Sequence, residues 1–190
     1  AQARLLVGGP FQRLIDVGAG DGAVTAQLAP LAREVITTET SGPMAARLRE
    51  RGFPCLQTEL PAAGFTHDLV TCLNVLDRTS KPLALLRRLR ELLTPSGVLL
   101  VGVVVPWRPA VLQRAGLTSA PNEALPAAVR EAATFEQSAA ALATSVFEPL
   151  GFDVRRVSRV PYLSRGGPRG SIVALDDALF VLTKGAATPQ

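Results

Sequence analysis

Side chains that bind metals or cross-link the chain are scarce in this sequence. It has one histidine, His67, and two cysteines, Cys55 and Cys72, with no Cys-x-x-Cys pair among its 190 residues. Structural zinc sites need clustered cysteine and histidine ligands, so no metal site is expected. Both cysteines stand among apolar residues in predicted strands, which indicates small buried hydrophobic side chains and not a disulfide.

Long apolar runs are missing as well. The longest, Val98 to Pro106, is far shorter than the ~20 residues of a membrane-spanning helix, so it predicts a buried strand and no membrane span. The first ten residues lack the basic and apolar regions of a signal peptide, and the chain has no initiator Met. We therefore expect an excised domain whose native N-terminus is absent, and this chain does not define its compartment.

Lysine is nearly absent. Lys81 and Lys184 are the only two, and the net charge of +4 comes almost wholly from arginine. We interpret the run Arg87, Arg88 and Arg90 as a solvated helix face in preference to a nucleic-acid interface, and expect no nucleic-acid partner. Hydrophobic residues make up 47% of the sequence, enough for the core of one compact domain.

Helix and strand patterns alternate along the chain. We predict strands at 13–18, 34–39, 54–57, 67–75, 98–105, 152–163 and 175–183, and helices at 23–33, 43–51, 83–93 and 134–150, with a turn at 94–97. This alternation predicts a parallel sheet covered by helices on both sides. The last two strands have no helix between them and must form an antiparallel hairpin. One domain spanning 1–190 is expected, with an insertion at about 107–132 that carries one short helix.

A glycine-rich turn follows the first predicted strand. Asp16 lies in that strand, two residues before the first glycine. Gly18 and Gly20 in the turn let the backbone bend sharply and let a ligand approach without a Cβ in the way. Ligands of doubly wound sheets lie at the carboxyl ends of the strands. Glu39, at the end of the second strand, falls where an acid accepts hydrogen bonds from both hydroxyls of a ribose. This end of the sheet is the candidate nucleotide site.

The same glycine spacing also satisfies the dinucleotide fingerprint of nicotinamide and flavin enzymes. Three features favour S-adenosylmethionine. Asp16, two residues before the first glycine, suits a cofactor with an amino group and a sulfonium; Asp21 would repel a pyrophosphate; and the closing hairpin is foreign to the usual dehydrogenase. Thr58 and Glu59, after the third strand, flank the adenine in this interpretation, with an exposed loop as the alternative. We predict a class I (Rossmann-like) methyltransferase, a doubly wound, mostly parallel seven-stranded sheet closed by an antiparallel hairpin.

Residues 72–78, Cys-Leu-Asn-Val-Leu-Asp-Arg, resemble the CLNxLDR segment of the DREV methyltransferases. The likeness covers nearly the whole chain: residues 14–22 resemble the first motif of that family, 38–41 its acidic strand end, 105–109 its LPFHP, 159–163 its RLPYL and 175–182 its LDDAVFVL. The glycine motif is generic, whereas the Asn-Asp and PYL–LDDA segments are specific. The family includes protein-histidine methyltransferases, which modify the N-pros (N1) nitrogen in alternating His-x-His motifs.

The resemblance implies that the target imidazole is contacted by Asp77, with help from Asn74, and that the cofactor is contacted by Asp16, Gly18, Glu39, Asn74 and Tyr162. Methyl transfer is an in-line displacement on an activated electrophile, so the enzyme chiefly aligns a neutral nitrogen lone pair. If Asp77 accepts the N–H of the distal nitrogen, the lone pair is left on the proximal one. The carboxylate also stabilises the imidazolium as positive charge develops.

Two departures from the family pattern concern peptide recognition. Val173 stands where the family has a tyrosine near the substrate, and Trp107-Arg108 replaces the Phe-His of its PFHP. The resemblance implies a protein-histidine N-pros methyltransferase, and we expect a monomer. Members of the family are cytoplasmic or associated with endomembranes or mitochondria, whereas the compartment of this chain is not defined by its sequence. The alternatives are methylation of another side chain or of a small molecule, and an inactive cofactor-binding scaffold. Without the resemblance, Asn74 and Asp77 would be an ordinary polar turn.

Overall fold

The computed structural model describes residues 6–60, 64–112, 118–165 and 172–185. Its strands are β1 (Phe11–Val17), β2 (Ala32–Thr38), β3 (Cys55–Leu56), β4 (His67–Leu73), β5 (Leu93–Val104), β6 (Val111–Leu112), β7 (Thr118–Ser119), β8 (Phe152–Arg165) and β9 (Ile172–Lys184). Its helices are α1 (Ala23–Leu28), α2 (Gly42–Glu50), α3 (Pro82–Leu92), α4 (Ala127–Arg130) and α5 (Phe135–Leu142). A 3₁₀ turn at Ala29–Leu31 follows α1, and a π-helical turn at Ala143–Phe147 follows α5.

Seven strands form one sheet in the order β3-β2-β1-β4-β5-β9-β8. Strands β1 to β5 pair in parallel, whereas β9 runs antiparallel to both β5 and β8. Successive side chains of a strand point to opposite faces, so Ile15 and Val70 join one hydrophobic cluster while Leu14 and Leu69 join the other. All four are fully buried, as expected for a parallel sheet covered on both faces. The predicted fold class and closing hairpin are confirmed.

Helix α1 is shorter than the sequence predicted. We expected a helix to Arg33, but α1 ends at Leu28, a 3₁₀ turn follows, and β2 already begins at Ala32. Pro30 explains the difference, because proline has no N–H for the helical ladder and its ring clashes with the carbonyl four residues earlier. The chain therefore leaves the helix early and enters the next strand two residues sooner than predicted.

Residues 94–97 are part of β5, where the sequence predicted a turn. His67 pairs with Leu93 and Leu69 pairs with Val98, so the intervening residues of β5 form a bulge opposite β4. Gly97 permits this close approach, because a Cβ there would lie 2.9 Å from the carbonyl oxygen of His67. The proline and glycine that suggested a turn therefore mark a bulge within a strand.

Three smaller expectations also need correction. The insertion contains a short β6–β7 hairpin besides its one helix, α4. Cys55 is only partly buried, because β3 is a two-residue strand at the edge of the sheet, whereas Cys72 is buried as predicted. The Nε of Arg90 donates to the carbonyl of Gly151, so α3 does not expose all of its arginines. Among the described residues, no helix has the length and apolar character needed to cross a bilayer.

Candidate functional site

A cavity of about 250 Å³ lies where β1 and β4 end. Its walls are the glycine-rich loop at residues 18–21, together with Asp16, Val24, Leu73, Asn74 and Arg78. A larger, mostly apolar cavity of about 660 Å³ flanks β1 and β2 and shares no lining residue with the first. Of these two cavities, the smaller one lies at the carboxyl ends of β1 and β4 beside the glycine-rich loop, which marks it as the candidate site.

The glycine-rich loop needs glycine at Gly18. The φ angle of Gly18 is +69°, in the left-handed region, and a Cβ there would lie 2.5 Å from Cγ2 of Val75. The next residue, Ala19, donates its N–H to the carbonyl of Thr38 at 3.0 Å, and this bond ties the loop to the end of β2. Glycine at position 18 therefore lets the loop pack against Val75, whereas at Gly20, which also lines the cavity, a Cβ would meet nothing within 4 Å.

Asp16 is buried at the base of the cavity, with 3% of its surface exposed. Its two carboxylate oxygens accept hydrogen bonds from the Thr25 hydroxyl at 2.6 Å and the Thr71 hydroxyl at 2.7 Å. Burial raises the pKa of Asp16, and the two hydroxyl donors act in the opposite direction. Each oxygen keeps one lone pair for a ligand. Asp16 thus braces β1 against α1 and β4 while it lines the cavity.

Glu39 reaches back from the end of β2 to the glycine-rich loop. Its Oε2 accepts the N–H of Gly20 at 2.9 Å, and its Oε1 accepts the N–H of Ser41 at 2.8 Å. The Thr40 hydroxyl also donates to Oε1 at 3.5 Å, so Oε2 is the oxygen that keeps a free lone pair for the ribose role predicted for Glu39. Glu39 is not among the residues that line the cavity, whereas Asp21 is. Oδ1 of Asp21 also accepts the N–H of Ala23 at the start of α1.

Thr58 and Glu59 lie outside the cavity wall. The Thr58 hydroxyl donates to the carbonyl of Leu60, and Oε1 of Glu59 accepts the hydroxyl of Thr79 at 2.8 Å. The second bond joins the loop after β3 to the loop after β4. Tyr162 lies on β8 opposite Leu175. The side chains of Tyr162 and Val173 lie outside the described part of the structure.

Asn74, directly after β4, has a left-handed backbone with φ of +57°. Its N–H donates to the carbonyl of Gly102 on β5 at 2.8 Å, and its Nδ2 donates to Oδ2 of Asp177 on β9 at 2.8 Å. Asparagine tolerates this backbone region better than most residues. The structure thus adds Asp177 to the site, which the sequence interpretation did not select. The signal was present in the LDDA segment, but nothing in the sequence indicated which strand Asp177 would face.

Asn74, Asp77 and Asp177 each have a buried Oδ1 that no donor satisfies among the described residues. Burial raises the pKa of both Asp77 and Asp177, and the nearby Arg78 guanidinium acts in the opposite direction on both. The carboxylate of Asp77 further raises the pKa of Asp177. Buried acceptors without partners are costly, so this cluster is suited to receive N–H donors from a ligand.

Asp77 is 6% exposed and does not line the cavity, although its neighbours Asn74 and Arg78 in the same loop do. The insertion holds this loop in place. Ala110 donates its N–H to the backbone carbonyl of Asp77 at 2.8 Å, and Oε2 of Glu123 accepts the N–H groups of Leu83 and Ala84 at the start of α3. The insertion therefore packs directly against the candidate site.

The family model of the DREV methyltransferases matches residues 7–184. The fold is similar to solved methyltransferases of low sequence identity. A putative methyltransferase from Bacillus halodurans has 14% identity and a TM-score of 0.63, covering 97% of this chain and 98% of its own. The 1,6-didemethyltoxoflavin-N1-methyltransferase of Burkholderia thailandensis, solved with S-adenosylhomocysteine, has 19% identity and a TM-score of 0.62, covering 96% and 75%. A putative RNA methyltransferase from Pyrococcus horikoshii has 15% identity and a TM-score of 0.65, covering 99% and 80%.

Proposed function

Because this chain belongs to the DREV methyltransferase family, we propose that it transfers the methyl group of S-adenosylmethionine to the N-pros nitrogen of histidine in His-x-His segments of proteins. The observation that carries the proposal is the buried Asp77 carboxylate, whose Oδ1 has no hydrogen-bond partner in the described structure. A neutral imidazole has one N–H donor and one lone pair. A neutral imidazole therefore suits a site in which a free hydrogen-bond acceptor, Oδ1 of Asp77, lies beside the methyl group of S-adenosylmethionine.

The residues around the cavity fit S-adenosylmethionine. Gly20, where a Cβ would meet nothing within 4 Å, leaves open space beside the loop, and the free lone pair on Oε2 of Glu39 suits a ribose hydroxyl. Asn74 has an unsatisfied oxygen that suits the cofactor ammonium, and Arg78 is the one cationic side chain among the described cavity-lining residues. When bound, the cofactor supplies a methyl group already activated by the positive sulfur.

Asp77 controls which imidazole nitrogen reacts. By accepting the N–H of the distal nitrogen, it leaves the lone pair on the N-pros nitrogen. The new nitrogen–carbon bond forms as the sulfur–carbon bond breaks, and the ring becomes cationic. An ionised Asp77 in this buried setting stabilises that charge far more than water would, and it is the natural acceptor for the proton that the product ring then loses.

The acceptor ring needs more space than the cavity offers. A cavity of about 250 Å³ is smaller than the ~300 Å³ typical of the smallest ligand pockets. Arg78 follows Asp77 directly, lines the cavity and has an exposed side chain that is free to swing outward. In this proposal, the incoming histidine displaces the Arg78 side chain and so reaches the carboxylate behind it.

The test is methyl transfer to synthetic peptides, with amino-acid analysis of the product. A His-x-His peptide is expected to yield 1-methylhistidine. Matched peptides with the first or the second histidine replaced by glutamine identify which ring is modified. Methylation of lysine, arginine or a small molecule in place of histidine would contradict the proposal. Full-strength binding of S-adenosylhomocysteine without turnover on any histidine-rich protein would support the inactive scaffold.

A further inference from the structure

Asp177 lies next to the site, yet neither binding of the cofactor nor the chemistry above uses it. It is on β9 opposite Val104 of β5, and it is 8% exposed. Its Oδ2 accepts the Nδ2–H of Asn74 at 2.8 Å, a contact between residues 103 positions apart in the chain. Through this hydrogen bond, the Asn74 side chain connects β9 to the cavity that Asn74 lines.

The carboxylate of Asp177 selects one orientation of the Asn74 amide. An asparagine side chain presents NH₂ on one side and an oxygen on the other, and an ionised carboxylate can only accept hydrogen bonds. Therefore, Asn74 must turn its Nδ2 toward Asp177, and its Oδ1 is the group left for a ligand. That oxygen is buried and has no partner among the described residues.

Because the backbone of Asn74 is held in place, rotation of its side-chain amide is the main freedom that remains. The N–H bond to Gly102 at 2.8 Å and the left-handed φ of +57° fix where the side chain starts. Rotation of the amide by half a turn would then exchange an acceptor for a donor at the cavity. Because NH₂ facing a ligand ammonium is repulsive, the orientation matters for binding.

We propose that Asp177 is a positioning residue that holds the Asn74 amide oxygen in place to accept a hydrogen bond from the α-ammonium group of S-adenosylmethionine. This inference rests on the methyl-transfer part of the proposed function and not on the identity of the acceptor. Asp177 itself touches neither the cofactor nor the acceptor in this proposal. Its effect passes entirely through Asn74.

The test compares two ligands by titration calorimetry, without any acceptor. S-adenosylhomocysteine has the ammonium group, whereas 5′-deoxy-5′-methylthioadenosine lacks the whole amino-acid part. Asp177→Asn replaces a charge-assisted bond with a neutral one and removes the bias on the amide, so it should weaken S-adenosylhomocysteine about fivefold and leave the second ligand unchanged. Asp176→Asn is the matched control: Asp176 is the preceding residue, pairs with Arg159 on the surface, and should affect neither ligand.

A double-mutant cycle tests whether Asp177 acts through Asn74. Asn74→Gly deletes the amide and tolerates the positive φ. In that background, Asp177→Asn should cause no further loss of affinity for S-adenosylhomocysteine. Asp177→Ser is measured in parallel and should give the same pattern. It serves as the test if Asp177→Asn folds poorly.

Three results would overturn this role for Asp177. They are an equal loss for both ligands, a loss that persists in the Asn74→Gly background, and an affinity for S-adenosylhomocysteine that Asp177→Asn leaves unchanged. None of these measurements requires methylation of a histidine. A protein that methylates some other acceptor would still complete the cycle, so failure of the histidine proposal and failure of this one remain distinguishable.

Discussion

Replacement of Asp77 separates its two roles, hydrogen-bond acceptor and negative charge. Asp77→Ala removes both, whereas Asp77→Asn keeps an oxygen that can accept the distal N–H of imidazole. The carboxylate is buried, with 6% exposure, so it acts in an environment where electrostatic interactions are strong. Loss of one such group from an active site typically costs about 3–4 kcal/mol of transition-state stabilisation, or ~10²–10³ in rate.

We therefore expect kcat on a His-x-His peptide to fall by ~10²–10³ in Asp77→Ala and by a smaller factor, about tenfold, in Asp77→Asn. Initial rates with labelled S-adenosylmethionine and identification of 1-methylhistidine measure the effect. Calorimetric binding of S-adenosylhomocysteine should change little, because Asp77 does not line the cofactor cavity. An Asp77→Ala enzyme with a normal rate, or one that fails only because it no longer binds the cofactor, would refute the reasoning.

Asp77→Asn should also be more stable than the wild type. Burial raises the pKa of Asp77 in the folded protein above its unfolded value, so the folded state binds a proton more tightly. The free energy of unfolding of the wild type is therefore lower at neutral pH, where the buried carboxylate is ionised. It rises as pH falls through the raised pKa of Asp77. Asp77→Asn should gain about 1 kcal/mol near neutral pH, and denaturant unfolding should show this gain shrinking in mild acid. An equal gain at both pH values would contradict this account.

Two other substitutions test the loop and the nearby charge. Gly18→Ala should lower the free energy of unfolding by about 2 kcal/mol or more in denaturant titration, since it combines a left-handed backbone with a Cβ 2.5 Å from Cγ2 of Val75. Arg78→Gln removes a cation that lowers the pKa of Asp77 and Asp177, so the acid limb of the pH–rate profile should move to higher pH. This shift should be smaller at high salt, since Arg78 is exposed.

Each of these substitutions has a control in the same chain. Gly20→Ala also meets a positive φ, but a Cβ there has nothing within 4 Å, so only the backbone cost should remain. Equal losses from the two glycine variants would show that the contact with Val75 is unimportant. Arg87→Gln removes an exposed cation from α3 and should leave the pH–rate profile unchanged. An Arg78→Gln profile that moves to lower pH would contradict the assigned electrostatics.

The local parts of the site could be predicted because they depend on neighbouring residues. The glycine-rich turn follows a buried strand, and Asn74 and Asp77 follow another, so both had to lie at the carboxyl ends of parallel strands. The antiparallel closing pair followed from the lack of a helix between two strands. The strand ends follow from chain order and the periodicity of apolar residues, whereas the selection of Asn74 and Asp77 as site residues rests on the resemblance to the DREV methyltransferases. The positions of the strand ends and the closing pair do not depend on how distant side chains pack.

The rest depends on contacts between distant segments. Asp177 enters the site through the antiparallel register of β9 on β5, which sets it opposite Val104, and no local pattern encodes that register. Residues 94–97 have the composition of a turn, but pairing with β4 on both sides forces them into a bulge. The insertion looked featureless because its hydrogen bonds, such as that from Ala110 to Asp77, go to another loop.

The charge balance of the site restricts the ligands that it suits. Three buried acceptor oxygens, on Asn74, Asp77 and Asp177, lack donors among the described residues, and the nearest cation, Arg78, has an exposed side chain. Such a cluster destabilises the folded protein unless a ligand supplies N–H groups. In the proposed function, an ammonium group donates to the oxygen on Asn74 and a neutral ring nitrogen with one N–H donates to the oxygen on Asp77, while the oxygen on Asp177 receives no ligand donor. A lysine acceptor must be deprotonated to react, and the positive charge formed on methylation would lie beside the same carboxylate. Unlike imidazole, however, lysine has a single nitrogen, so Asp77 could not direct its lone pair by binding a second one. The arrangement therefore favours a nitrogen heterocycle over an amine as the methyl acceptor.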